Sequence, residues 1–493
     1  MRKTDYIQLY PMVRIALMVI AVIWIGYDCF GWFTCRYEWG NKQTTYKAFI
    51  VSPVTKHEQG LRCDLMLTDC EPALADNIGT RIKAFFHIDA NSTDTVLKIG
   101  DGLTVCSCIK SLDGKTVPNH KKNFDYNEYL KIHGYAGTTF IHTQCFHRQR
   151  ISLQSLSIIE RTKLKMLIVR ERLLSMLHSR IGSKEFPIVA AMTLGNKYLI
   201  DNAMRDTFSK TGVSHLLALS GLHISIIFSF IMLIFTPVTY SCRHSAMRHV
   251  LIAIVTIIPI WIYVLLVGLP VSAVRSAVMI TIYGLVAALG RNRLSLNTIA
   301  LAAIIILAFN PLSLFDVGFQ MSFLALIGIH VFYPVLYASV DDEWLQMHTC
   351  FRWFWSASLI SVSAQAATAP LVAYYFGTFS SSFLLANYIA IPLSTLILYC
   401  SCLFFLATPF AIMQLWIGNV ITAIVALLTT SLKFIGSLPY SSFQEIQISR
   451  FQVVLLYIMT AEFFWFWHCN KANRLKLLLA TILVYIIYTT FAS

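Results

Sequence analysis

From Ser214 onward the chain is an almost unbroken succession of apolar runs, most of them about as long as a bilayer is thick. A helix needs about 20 apolar residues to cross a hydrocarbon core, and helices and closed barrels are the structures that satisfy every backbone group there. The spacing predicts ten such helices, centred near residues 225, 258, 281, 302, 328, 363, 395, 422, 458 and 483. An earlier run from Met12 to Phe33 adds another, giving a polytopic α-helical membrane protein of about 11 spans. Several runs are short or hold Gly and Pro, which predicts broken or re-entrant helices lining a cavity. Charged residues make up 13% of the 493 positions and mean hydropathy is +0.63. Soluble proteins carry roughly 25% charge. A soluble enzyme, a disordered chain and a collagen-like fibre are excluded.

The net charge of +14 admits two causes. Lys and Arg set orientation at helix ends, and a basic chain suits a polyanionic cargo. Arg2, Lys3 and Arg14 mark the cytoplasmic end of an uncleaved anchor, residues 1–38. Alternating the spans then places Arg243, Arg291, Arg293 and Lys471 in inner loops, while the outer loops near 268–272, 310–316 and 373–382 lack Lys and Arg. This threading puts the N-terminus inside and both residues 39–150 and the C-terminus outside.

Residues 39–150 have the composition of a water-exposed module. Short β-rich runs such as Tyr46–Val51, Arg81–Ile88 and Leu103–Ile109 alternate with turn signals, which predicts a small extracytoplasmic β-barrel; an OB-like barrel is one option. Cys63, Cys70, Cys106, Cys108 and Cys145 are candidates for one or two disulfides there. Residues 151–212 read as amphipathic, interfacial helices, with basic residues among Leu164, Leu167, Leu174 and Leu177. Residues 213–493 form the helical membrane domain.

The densest polar cluster at a span mouth is Gly212–Ile224, with Ser214, His215, Ser220 and His223. Polar groups are expensive in lipid, so these should face protein or water. Ser220 and His223 stand three apart, close enough on a helix for a serine and its base. Close helix packing and pore lining are the alternatives. Arg275 lies a few residues into another span. Asp316 and Gln320 share one helical face, and Gln365 and Asn387 extend the polar set. Arg275 either pairs with Asp316, its candidate partner, or snorkels to the interface, and the sequence favours the two equally. No phosphate-binding glycine loop and no metal-ligand cluster occurs in the sequence, so no cofactor is expected.

These motifs resemble the ComEC family of competence proteins, which carry incoming DNA across the bacterial cytoplasmic membrane. The family hallmark is similar to the run Ser214-His-Leu-Leu-Ala-Leu-Ser-Gly-Leu-His223. Pro270 to Arg275, Asp316 to Phe323, Gln365 to Pro370 and Asn387 to Pro392 look like further family segments, in family order. Phe124-Asp125-Tyr126 with Gly134 resembles the end of the family's N-terminal OB-like domain.

The resemblance implies an inner-membrane channel translocating single-stranded DNA into the cytoplasm during natural transformation, with the OB-like domain in the periplasm. It implies a path lined by Ser214, His215, Ser220, His223, Arg275, Asp316, Gln320, Gln365 and Asn387. Basic residues beside aromatics suit a single strand, so Lys47, Arg81, Lys83, Phe85 and Tyr126 are the expected DNA contacts of the module, with Lys42 and Lys121 nearby. A cytosolic motor or single-strand-binding proteins would supply direction, and a homodimer is an open arrangement. The metallo-β-lactamase-like domain of many family members has no counterpart after the last span, so a separate nuclease is expected and the chain is not read as an enzyme. A small polar or anionic solute transporter and an intramembrane serine hydrolase are the rival readings.

Overall fold

The computed structural model describes residues 11–30, 39, 43–57, 60–70, 78–87, 97–112, 125–149, 157–240, 245–288, 296–469 and 472–492. Arg2, Lys3, Lys42, Lys121, Phe124, Arg243, Arg291, Arg293 and Lys471 lie outside these residues. Helix α1 spans Pro11–Phe30. The β module follows, with strands β1 (Thr44–Ile50), β2 (Thr55–His57), β3 (Gly60–Cys70), β4 (Arg81–His87), β5 (Gly102–Ser107) and β6 (Ile109–Lys110). Helix α2 (Tyr126–Ile132), β7 (Tyr135–His142) and β8 (Phe146–Arg148) complete it.

The strands run in the order β6-β7-β4-β3-β1-β5-β8, with β2 on β3. β5 and β6 are one stretch interrupted at Cys108, pairing with β1 before the break and with β7 after it. The sheet therefore curls back on itself. Tyr46 OH and Ser107 Oγ are hydrogen-bonded at 2.8 Å, and Ser107 Oγ and Thr139 Oγ1 at 2.7 Å, which ties β1, β5 and β7 together inside. Period-two alternation sends Ile50, Leu65, Ile82, Leu103 and Ile141 into a common core. Asp125 caps α2 by accepting from the Asn127 amide at 2.8 Å.

The helical body begins with α3 (Ile158–His178), α4 (Phe186–Leu194), α5 (Asn202–Lys210), α6 (Gly221–Tyr240), α7 (Ser245–Leu266), α8 (Val271–Ala288) and α9 (Leu296–Phe309). It continues with α10 (Val317–Tyr337), α11 (Asp342–Met347), α12 (Thr349–Phe376), β9 (Phe379–Ser380), α13 (Phe383–Leu406), α14 (Ala411–Gly436), β10 (Ser442–Phe443), α15 (Arg450–Cys469) and α16 (Ala472–Ala492). Every sequence-predicted centre falls inside one of these helices. Four of them, α10, α12, α13 and α14, are long and apolar enough to cross a membrane, and shorter apolar stretches lie in α1, α6, α7, α8, α9 and α16.

Two expectations need correction. The proline-bearing helices are unbroken: Pro259, Pro334, Pro370 and Pro392 sit inside α7, α10, α12 and α13. Irregular backbone lies between the helices instead, at 211–220 before α6, at 267–270 before α8 and around β9 and β10, which pair with each other. Nor is all of 151–212 interfacial. α4 has nine residues and no charged face, so it is buried throughout, packed with Ala386, Ala390, Ile397 and Phe404 of α13 and Ile421, Val425 and Leu428 of α14. α3, started by a Ser157–Glu160 capping box, and α5, which buries Phe208 and exposes Asn202, Arg205, Asp206 and Lys210, keep an amphipathic character.

α3 joins module to body. Its Leu164 packs with Phe49, Val51 and Met66 of the module, and its Leu174 and Leu177 belong to the body core. A second joint runs through α2. Glu128 accepts a hydrogen bond from Tyr27 OH of α1 at 3.3 Å, and His133 Nε2 lies 3.9 Å from Asp316 Oδ1.

Candidate functional site

α8 organises the polar groups of the body. One turn into it, Arg275 is 4% exposed. Its Nη1 donates to Asp316 Oδ2 at 2.8 Å and its Nη2 to Ser322 Oγ at 3.1 Å. Of the two arrangements the sequence allows, the ion pair is thus the one formed, and the guanidinium does not snorkel outward. Asp316 is held by its own backbone role: it precedes α10 and caps it, accepting from the Phe319 amide at 3.0 Å. Gly318 leaves room for the pair, since a Cβ there would stand 3.0 Å from Arg275 Nη2. Gln320 Nε2 donates to the Leu314 carbonyl at 3.0 Å, and its Oε1 accepts from Tyr375 OH at 3.2 Å.

The other flank of α8 carries the Ser214–His223 run. Ser272 Oγ donates to the Leu219 carbonyl at 2.5 Å. Gly212 turns the chain with φ of +76°, and a Cβ there would lie 2.9 Å from Ser380 Cβ. Ser214 and His215 are exposed, whereas His223 is fully buried. Ser220 Oγ lies 2.9 Å from His223 Nδ1, and the Ser220 amide donates to the same nitrogen at 3.3 Å. Ser220 immediately precedes α6 and His223 is its third residue, the positions of a capping box with imidazole in place of carboxylate. The geometry serves the helix start, although it also brings a hydroxyl to a base.

Gln365 on α12 and Asn387 on α13 are half-buried, and Asn387 Nδ2 donates to Ser361 Oγ at 3.4 Å. The structure therefore gathers Ser220, His223, Arg275, Asp316 and Gln320 around α8. Gln365 and Asn387 lie on a separate crossing. Ser272 and Ser322 were missed from sequence; Ser322 lies two residues beyond Gln320 in the same polar run, which is the available signal.

On the module, Lys83 is not a free contact. It lies beside Asp64 across the β3–β4 ladder, and its Nζ is 2.5 Å from Asp64 Oδ1 with both side chains nearly buried. Tyr135 OH donates to the other carboxylate oxygen at 2.8 Å. Lys47 is exposed and paired with Asp69 at 2.8 Å. Arg81 lies 5.9 Å from the centre of the Tyr135 ring. Phe85 stacks on Phe140 at 5.1 Å, and Arg62 lies over Phe85 and Tyr126 at 5.3 and 5.6 Å. Arg62 and Phe140 were missed, although alternation along β3 and β7 puts them on this face. Of the candidate disulfide cysteines, Cys106 is exposed, and Cys70, Cys108 and Cys145 are half-buried. Cys63 is buried in the barrel core, and burial pushes its thiol well above the usual range.

A family model described as Competence protein matches residues 192–470. ComE operon protein 3 of Bacillus subtilis (strain 168) is 30% identical over 315 residues, which is 62% of this chain and 36% of that relative's length. No solved structure matches the chain.

Proposed function

This chain belongs to the competence-protein family, and from that premise we propose that it is an inner-membrane channel that passes single-stranded DNA into the cytoplasm during transformation. One observation carries the reading. The matched segment encloses the whole polar set gathered around α8, together with Gln365 and Asn387, inside helices of otherwise lipid-like composition. About 11 crossings, one for each apolar helix, would put the β module and the turn at Asp316 on the same face. The His133–Asp316 and Tyr27–Glu128 contacts support that placement, with the module on the periplasmic side. The strand path in which β5 and β6 close against both β1 and β7 supports an OB-like barrel. Direction would come from a cytosolic motor or single-strand-binding proteins. A homodimer belongs to the same proposal.

Arg275 and Asp316 act in this scheme as a buried clamp beside the path; exposed or half-exposed groups such as Ser214, His215 and Gln365 are the lining. Such a lining must hold a phosphate chain weakly enough to release it. The test follows fluorescent double-stranded DNA in cells lacking the gene and in complemented cells. Label should accumulate outside the cytoplasmic membrane in the deletion and reach the cytoplasm on complementation. Unchanged cytoplasmic arrival in the deletion overturns the proposal. The Ser220–His223 distance favours one second reading, an intramembrane serine hydrolase. A serine-directed fluorophosphonate that labels wild type but not Ser220→Ala would support it.

A further inference from the structure

Where α3 and the turn after α4 meet the module, cations outnumber the acids that could neutralise them. Arg170 on α3 is 4% exposed. Its Nη1 donates to the Val267 carbonyl at 3.1 Å and its Nη2 lies 3.7 Å from Glu171, yet its Nε and Nη2 make no hydrogen bond among the described residues. Arg62 Nε and Arg81 Nε, across on the module, are buried with no acceptor among the described residues as well. Buried guanidinium donors are costly to leave unpaired, so three such guanidiniums in one region point to an anionic ligand. Lys163 on α3 lies within range of the Arg81 and Asp64 charges, Lys197 within range of Lys83 and Arg205, and Tyr198 within range of Arg62, Arg170 and Asp64. Lys197 and Tyr198 are exposed, so the region opens to solvent. Asp64 is already committed to Lys83 and Tyr135. Aromatic rings are interleaved with the charges: Tyr126 beneath Arg62, Tyr135 beneath Arg81, and Tyr198 between module and body.

We propose that this junction, built from Arg62, Arg81, Lys163, Arg170, Lys197 and Tyr198, binds the phosphodiester backbone of a single strand as it passes from the module to the membrane body. The inference rests on the translocation reading and names where its substrate first meets both halves of the protein. Guanidinium forks suit phosphate oxygens, and tyrosine faces accept bases without sequence preference. An anionic lipid headgroup presents the same charge but offers nothing for the rings to stack on.

The test measures binding of a fluorescent oligo(dT) to the purified full-length protein in nanodiscs of neutral lipid, across a salt series. Lys163→Gln and Lys197→Gln should each weaken binding about tenfold at low salt and each flatten the salt slope by about 0.7. Lys163→Arg should bind like wild type, and Lys476→Gln, exposed near the start of α16 and away from the module, should leave the slope unchanged. If wild type binds and the Lys163→Gln/Lys197→Gln double variant matches it in affinity and slope, the junction assignment is overturned while the translocation reading stands. If no form binds and cytoplasmic arrival of DNA is normal in the deletion, both fall. If the double variant instead loses capture of phosphatidylglycerol vesicles with oligo(dT) binding intact, the site takes a headgroup and the assignment is overturned.

Discussion

Removing one partner of the Arg275–Asp316 pair should be far worse than removing both. Arg275 is 4% exposed and Asp316 8%, with a bond of 2.8 Å between them and further bonds to Ser322 and the Phe319 amide. Breaking a buried pair by deleting one charge costs about 3–5 kcal/mol, because the other is stranded, whereas an apolar or neutral replacement of both can come close to neutral. Arg275→Met and Asp316→Asn should therefore each lower unfolding free energy by roughly 3 kcal/mol. The double variant should lose no more than one of the singles, a coupling of about 3 kcal/mol. Reversible unfolding of the detergent-solubilised chain by SDS titration measures all four corners. Additivity of the two losses to within about 0.5 kcal/mol would refute the clamp and return Arg275 to the list of groups facing water.

Three smaller predictions follow from the same geometry. Gly318→Ala places a Cβ 3.0 Å from Arg275 Nη2 and should cost about 1–3 kcal/mol by crowding, read by the same titration. On the module, Lys83→Met strands a buried Asp64 and should cost about 3–5 kcal/mol; Lys47→Gln removes an exposed pair and should cost less than about 1 kcal/mol. Limited proteolysis of the full chain separates the two. Burial, then the nearby Arg81 charge, pushes the Lys163 amine down to about 8 despite the opposing charges of Asp64 and Glu160. A bound phosphate favours the protonated amine, so oligo(dT) affinity should be highest below pH 8 and fall as pH rises through that value. Lys163→Arg should remove that fall, and a fall that persists in this variant contradicts the assignment.

The long-range organisation was legible where it depends on local pattern. Apolar length located α6 to α10 and α12 to α16, since a helix in lipid must bond its own backbone. Short β-rich runs between turn signals located β1, β4 and β5. Asp316 could be named from sequence as the candidate partner of Arg275 because an intramembrane charge demands a partner and few carboxylates occur within the spans. What escaped depends on register and packing. Lys83 looked like a surface cation until the ladder set it beside Asp64. The burial of α4 was hidden because a short run that is apolar on all sides has no period to announce its surroundings. Arg170 sat in an amphipathic pattern that suggested an interface, yet its position against the Val267 carbonyl buries it. Its role at the junction needed the module's placement, which no local signal encodes.

Photo-crosslinking during transformation tests the translocation claim most directly. A benzophenone amino acid replaces Gln365, a half-buried position within α12, and cells are illuminated while labelled DNA is being taken up. The account predicts an adduct that carries single-stranded DNA, forms only during uptake and disappears once internalisation is complete. Normal arrival of DNA in the cytoplasm with no adduct at this position, or an adduct carrying only double-stranded DNA, would contradict it.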